Sequence, residues 1–378
     1  MQEELLASIA SLNQRTDCAL TNVGILSVLL QGCCKLPQVY VQPEEDRIQT
    51  SRKEAKHSSP CADQEESIRL PLIDISVFES YLESDPRRSE MLAKIVESSR
   101  TWGFIQVVGH GVDLELIKAS EEEAHRLFQL PVSVKQNALR LPGSLFGYGA
   151  NFWLNLPAMN WAESFSISKS NAKEYAAKLL PNHYERFSNV MEEYIRQVEG
   201  LGHRFRRILT EGLGLPANHF DRYFGPDETE VNLRLNFYPP CPEPSKALGL
   251  KAHRDPHFLT LLHQDDTGGL QIWNEARDEW FNVKPIPNSF VINVGDMLQA
   301  ASNGICRSVL HRAVVNESRS RLSMACFYNT GATIVAPDEL ITSERPQKYR
   351  PFSWKEYVKE AYTYTTGAVS QFEELYSI

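Results

Sequence analysis

The most constraining feature of the chain is the stretch from Glu230 to Val335, where short runs rich in Val, Ile, Leu and Phe alternate with Gly, Pro, Asn and Asp. VNLRLNFY, HFLTLLHQ, GLQIWN, WFNVKPI, SFVINVG, SVLHRAVVN and RLSMACFYN are each the length of a strand, and each is bounded by turn formers. Many short strands at such intervals must close on one another to satisfy their edges, which predicts a sandwich, barrel or jelly roll. Upstream the period changes. From about His183 to Leu213, Phe187, Val190, Met191, Tyr194, Val198, Leu201, Phe205, Ile208 and Leu209 recur at three- and four-residue steps, predicting a long helix laid on a sheet. Shorter helices are expected through MLAKIVESSRTWG and LELIKASEEEAHRLFQL, and strands at LPLIDIS and FIQVV.

The expected fold class is therefore α+β, with helices packed against a strand-rich catalytic core. Residues 1–67 form an extension with an apolar start and a mobile, charge-rich tract, QPEEDRIQTSRKEAKHSSPCADQEES. Residues 68–215 are a region of helices and short strands, 216–340 the core, and 341–378 a C-terminal helix and tail opened by the capping box Ser353-Trp354-Lys355-Glu356.

Composition narrows the partners. A formal net charge of -9 without blocks of Lys and Arg argues against nucleic acid and for a small-molecule substrate. Seven cysteines with no CxxC spacing suit a reducing compartment, cytoplasmic or also nuclear. No apolar run reaches the roughly 18 residues a membrane span needs, and Glu3 and Glu4 argue against a signal peptide. No obligate protein partner is evident.

The chemistry centres on AHRDPHFLTLL, residues 252–262. The letters HRD also open a protein-kinase catalytic loop, but that loop places an Asn five residues after its Asp, where this chain has Thr260, and no DFG follows anywhere. On a strand, His253 and Asp255 share a face, as metal ligands do. A third ligand must come from another strand. Of His257, His263 and His311, His311 is the strongest candidate because SVLHRAVVN is a separate strand-like run. Two imidazoles and one carboxylate on one face of an octahedron are typical of non-haem Fe(II) oxygenases, with zinc open as an alternative at this point. Arg321 and Ser323 share a face of the last run and offer a guanidinium and a hydroxyl to a carboxylate.

These motifs together resemble the plant-type Fe(II)/2-oxoglutarate-dependent dioxygenases, whose fold is the distorted double-stranded β-helix, or jelly roll, also seen in isopenicillin N synthase. The resemblance spans residues 69–365 and includes TWGFIQVVGHGV, LRLNFYPPCPEP, ALGLKAHRD, TGGLQIW, NVGDMLQAASNG, SVLHRAVVN and RLSMACFYN in order. It implies Fe(II) held by His253, Asp255 and His311. It also implies 2-oxoglutarate held by Arg321, Ser323 and Tyr238 with Asn236 beside the metal, O2 as co-substrate, and ascorbate as reductant. HRDPHFLTLLHQDDTGGLQIW and SNGICRSVLHRAVVN look most like gibberellin 20-oxidases and C20-acting gibberellin 2-oxidases. NWAESFSI lies where those enzymes carry a pocket-lining strand. The expectation is an oxidised gibberellin or ent-kaurenoid acid in a pocket lined by Phe146, Tyr148, Trp161, Phe165, Phe258 and Phe327. Alternatives are a flavonoid or other specialised metabolite, a same-fold oxidase that works without 2-oxoglutarate, and a non-catalytic cupin-like metal binder. Arg254 fills a slot more often held by Thr or Cys and should point away from the ligands. The Asn usual in the NHGV motif of the family is Gly109 here, a change in the N-terminal part that should not touch the iron.

Overall fold

The computed structural model describes residues 35–48, 70–80, 85–141, 144–149, 158–224, 229–357 and 372–378. The apolar N-terminal start, most of the charged tract, and the C-terminal helix beyond Tyr357 lie outside the described residues.

Two sheets face each other. The larger holds β1 (Leu72–Asp74), β2 (Phe104–Val108), β3 (Gly147–Tyr148), β4 (Glu163–Ser168), β5 (Thr229–Tyr238), β7 (Leu259–Gln264), β10 (Phe290–Val294) and β12 (Arg321–Thr330), in the order β1-β2-β10-β7-β12-β5-β4-β3. The smaller holds β6 (Leu250–His253), β8 (Leu270–Asn274), β9 (Glu279–Asn282) and β11 (His311–Ala313), in the order β6-β11-β8-β9. Apart from the parallel β1–β2 pair, every pairing is antiparallel. The strand-like runs of the sequence thus form a jelly roll, although SVLHRAVVN contributes only three residues of ladder.

Three helices back the larger sheet. Asp85 and Asp113 cap α1 (Pro86–Thr101) and α2 (Leu114–Phe128), their carboxylates accepting from Arg87 N and Glu115 N at 2.9 Å. In α3 (Tyr184–Gly212), the periodic residues Phe187, Met191, Tyr194, Val198, Leu201 and Phe205 are buried against the sheet. Most of the core therefore lies between α3 and one face of the larger sheet, leaving the opposite face for the site.

Part of the extension belongs to this body. Leu36 and Tyr40 are buried in a second cluster with Trp161, Tyr238, Cys241, Ala247, Ala313 and Val315. Gln42, at the start of the tract expected to be mobile, is fully buried, its amide donating to Met159 O at 3.0 Å. At the other end, Ser353 Oγ accepts from Glu356 N at 3.2 Å, realising half of the anticipated capping box.

Candidate active site

His253 and His311 sit opposite each other on β6 and β11, and their rings are 4.2 Å apart between centroids. Asp255 follows two residues past the end of β6 in a turn held against the start of the short helix Asp296–Ala301 that follows β10, because Asp296 N donates to Asp255 O at 2.8 Å and Met297 N to His257 O at 3.3 Å. Gly295 permits that approach: a Cβ there would stand 1.9 Å from His257 O. His253 Nε2 and His311 Nε2 each lie 3.6 Å from Asp255 Oδ1, and the three ligand atoms all fall within 4.8 Å of one another.

The hydrogen bonds around these groups leave the correct atoms open. His253 Nδ1 bonds Lys251 O at 2.8 Å and His311 Nδ1 bonds Val309 O at 3.1 Å, so each ring turns Nε2 inward with its other nitrogen engaged by a carbonyl. Asp255 Oδ2 accepts from Thr260 Oγ1 at 2.7 Å and Asn293 Nδ2 at 3.1 Å, leaving Oδ1 for an ion. Burial works to raise the Asp255 carboxyl, but His311 and His253 and the hydrogen bond from Thr260 outweigh it, and the group is held well below the usual carboxylate range. Burial, reinforced by His253 and opposed by Asp255, lowers His311 to about 4, the neutral form a metal requires. This donor set fits a divalent transition metal with open positions.

The other two candidate histidines stand outside the ligand cluster. His263 Nε2 pairs with Glu121 Oε1 at 2.8 Å on the helix side. His257 stacks against Phe327 and Trp354, with centroids 4.3 and 5.0 Å away. Arg254 turns outward as alternation predicts, donating to Ser308 O and, at 3.3 Å, to Glu275.

Along β12, Arg321 pairs in register with Tyr238, and Ser323 with Asn236. The Arg321 guanidinium lies 5.0 Å from the Tyr238 ring centroid and donates to Gln264 Oε1 at 2.9 Å. Asn236 Nδ2 reaches Ser323 Oγ at 3.4 Å. Arg321 is buried, its Nε has no hydrogen-bond partner, and no carboxylate pairs with it among the described residues. A buried guanidinium with neutral neighbours fits a carboxylate such as that of 2-oxoglutarate. Gly249 makes room for the tyrosine, since a Cβ there would lie 2.5 Å from Tyr238 Cδ1.

Strand parity separates the expected pocket aromatics. Ser164 pairs with Asn236 and Ser166 with Arg234, which puts the serines of β4 on the site face and Glu163, Phe165 and Ile167 on the other. Phe165 meets Tyr175 and Phe187 in the helical layer, with centroids 6.0 and 6.2 Å away. Tyr148 donates to Glu163 Oε2 at 2.8 Å beside the buried Lys135, and Phe258 packs on Phe220 and Phe224. Trp161 donates to Pro239 O at 3.0 Å and is covered edge-on by Tyr40. These four belong to packing, in correction of their expected role as pocket lining. Phe327 is on the site face, in register with Thr260. Phe146 is half-buried on the loop before β3.

Residues outside the sequence reading stand on the site face instead. Arg234 Nε donates to Asn236 Oδ1 at 2.8 Å and its Nη2 reaches Ser164 Oγ at 3.3 Å; Arg140 Nη2 donates to Ser166 Oγ at 2.8 Å. Burial and then the neighbouring charge of Arg140 press the Arg234 guanidinium down to about 9, although part of its surface stays open. The signal for Arg234 was its place two residues before Asn236, hence on the same face. Arg140 comes from a loop that carries no such pattern.

Comparison with known proteins agrees with this geometry. Residues 229–330 match the 2OG-Fe(II) oxygenase superfamily, and residues 70–186 match the family described as non-haem dioxygenase in morphine synthesis N-terminal. The chain belongs to the 2OG-Fe(II) oxygenase superfamily. It is a dioxygenase whose cofactors are Fe(II) and 2-oxoglutarate. Gibberellin 20 oxidase 1-B of Triticum aestivum is 33% identical over 338 residues, covering 87% of each chain. Jasmonate-induced oxygenase 2 of Arabidopsis thaliana is 33% identical over 349 residues, covering 89% of this chain and 88% of that one. A crystal structure of JOX2 in complex with 2OG, Fe and JA has a TM-score of 0.79 at 30% identity, covering 94% of this chain and 98% of that one. Among the described residues no helix is long and apolar enough to cross a membrane.

Proposed function

We propose that this dioxygenase oxidises a small apolar carboxylic acid, with a gibberellin or ent-kaurenoid diterpenoid acid as the first candidate and a jasmonate-type acid as the second. The observation that carries the reading is the arginine pair on the site face, Arg234 on β5 and Arg140 reaching from its loop to Ser166 of β4. Two guanidiniums brought close together on the site face offer a positively charged patch of forked donors, which the carboxylate of an acid substrate complements. The gibberellin candidate draws on the 33% identity to gibberellin 20 oxidases, and the jasmonate candidate on the JA-bound structure.

In this reading His253, Asp255 and His311 hold the iron, while Arg321 and Ser323 grip the distal carboxylate of 2-oxoglutarate against Tyr238 and Asn236. Bound iron and 2-oxoglutarate supply the oxidising power, the latter losing CO2 to become succinate as O2 is consumed and a substrate C–H bond is oxidised. The chain's residues position the reactants. Thr260 and Asn293 fix the Asp255 carboxylate so that one oxygen faces the ion. Phe327 contributes an apolar wall that excludes water, and Arg234 and Arg140 hold the acid end of the substrate so that one carbon is presented repeatedly.

The test is succinate formation by purified protein supplied with Fe(II), ascorbate and labelled 2-oxoglutarate, with a panel of gibberellin precursors, jasmonic acid and neutral flavonoids. Stimulation by the acids alone is expected. Stimulation confined to the flavonoids would overturn the reading.

A further inference from the structure

His257 lies two residues beyond Asp255 and takes no part in the metal cluster. Its ring is wedged between Phe327, nearly parallel at 26°, and Trp354 at 35°. The backbone beneath it is fixed, because Met297 N bonds its carbonyl and Gly295 packs directly against that oxygen. The Nδ1 atom is buried and has no hydrogen-bond partner among the described residues, yet part of the side chain keeps open surface. Phe327 is in register with Thr260, whose hydroxyl bonds Asp255, so the stacked imidazole stands on the same face as the metal ligands.

An imidazole held this firmly and left unsatisfied is unusual, since a buried polar atom without a partner destabilises the fold. Packing alone would be served as well by Phe or Leu between two aromatic rings. With Nδ1 turned into the packing, the ring's open edge carries Nε2, which makes no hydrogen bond among the described residues, and a polar atom so placed beside the Phe327 and Trp354 rings can locate an oxygen atom on a ligand. Which nitrogen carries the proton follows from the ligand, because either tautomer fits the stack.

We infer that His257 is a specificity-determining residue that hydrogen-bonds a second oxygen of the substrate, so the preferred substrate is an apolar acid carrying a keto or hydroxyl group away from its carboxylate. This rests on the acid-substrate reading: Arg140 and Arg234 take the carboxylate, and His257 reads the far oxygen. The logic is that of sites which reject an analogue lacking the group they were built to bond.

The test uses matched acids that differ by one oxygen: a cyclopentanone-bearing acid with its deoxo counterpart, and a hydroxylated tetracyclic diterpenoid acid with its deoxy counterpart. Binding to the iron- and 2-oxoglutarate-loaded protein is measured anaerobically by calorimetry, and KM for each acid is measured in air. The oxygenated member of at least one pair is expected to bind about tenfold more tightly, the ratio one hydrogen bond supplies. His257→Phe, which preserves the stack, should bring that ratio to within about twofold by weakening only the oxygenated acid, without changing the KM for 2-oxoglutarate. His257→Gln, which keeps a side-chain amide, should retain part of the preference and serves as the variant of record if the Phe protein does not fold. Equal binding of both members of every pair by the wild type, as when water alone satisfies the ring, overturns the assignment of His257 and leaves the acid reading standing. A preference that survives His257→Phe does the same. Failure of every acid to bind overturns both.

Discussion

The two faces of the larger sheet are built from the same strands and do opposite work. On β4, Glu163, Phe165 and Ile167 face the helices while Ser164, Ser166 and Ser168 face the site. On β5 and β12, Leu235 and Met324 join the helical core, whereas Arg234, Asn236 and Ser323 form the polar wall. On these strands Phe165 packs in the helical layer while the small or charged Ser164, Ser166 and Arg234 line the site, with Glu163 and Phe327 as the exceptions on either face. An apolar substrate does not require that its site be marked by the chain's most conspicuous aromatics.

That contrast can be broken by substitution. The largest effect is expected from Asp255→Ala on the site face. Iron affinity should fall by more than the roughly 100-fold that loss of a mere supporting partner costs, with succinate formation lost. Metal analysis after dialysis checks it, and retention of iron would remove Asp255 from the site. On the opposite face, Phe165→Ala should lower unfolding free energy by about 3–5 kcal/mol in urea titration, with KM for the substrate acid unchanged in the folded fraction. A raised KM with unaltered stability would return Phe165 to the pocket. Arg321→Lys should raise the KM for 2-oxoglutarate by about 10- to 100-fold through loss of the planar fork, with little change in stability. Arg234→Gln should raise the KM for the acid about tenfold and leave that for 2-oxoglutarate unchanged; the reverse split would place Arg234 in the cosubstrate site. The smallest effect belongs to Trp161→Phe. Losing the bond to Pro239 O should cost about 1 kcal/mol, measurable as a lowered urea midpoint.

Much of this arrangement is legible in the sequence because alternation and spacing are local signals. The two-residue spacing of His253 and Asp255 does bring their ligand atoms together, although Asp255 has already left the strand, and β2, β10 and β12 fall where their apolar runs predict. The pocket is not legible in that way. Whether Ser164 or Phe165 faces the site depends on β4 pairing with β5 so that Ser164 meets Asn236, and register between strands some 70 residues apart is a tertiary fact. Arg140 enters from a loop, and no periodicity announces it. The short run Leu36–Tyr40 has apolar residues enough to dock but too few to show a period, so in the sequence it reads only as the end of the extension's apolar start.

That docked run has a consequence for how the chain is made. Leu36 N donates to a carboxylate oxygen of Glu243, 207 positions later, and Tyr40 rests in a cluster that includes Ala313 and Val315. During synthesis the segment emerges ahead of its partners and then waits while nearly the whole jelly roll leaves the ribosome. It is made before its partners and docks after them, a long-range closure of the kind that slows folding. Until it arrives, the indole of Trp161 and the side of Tyr238 are left without their cover on a nascent enzyme.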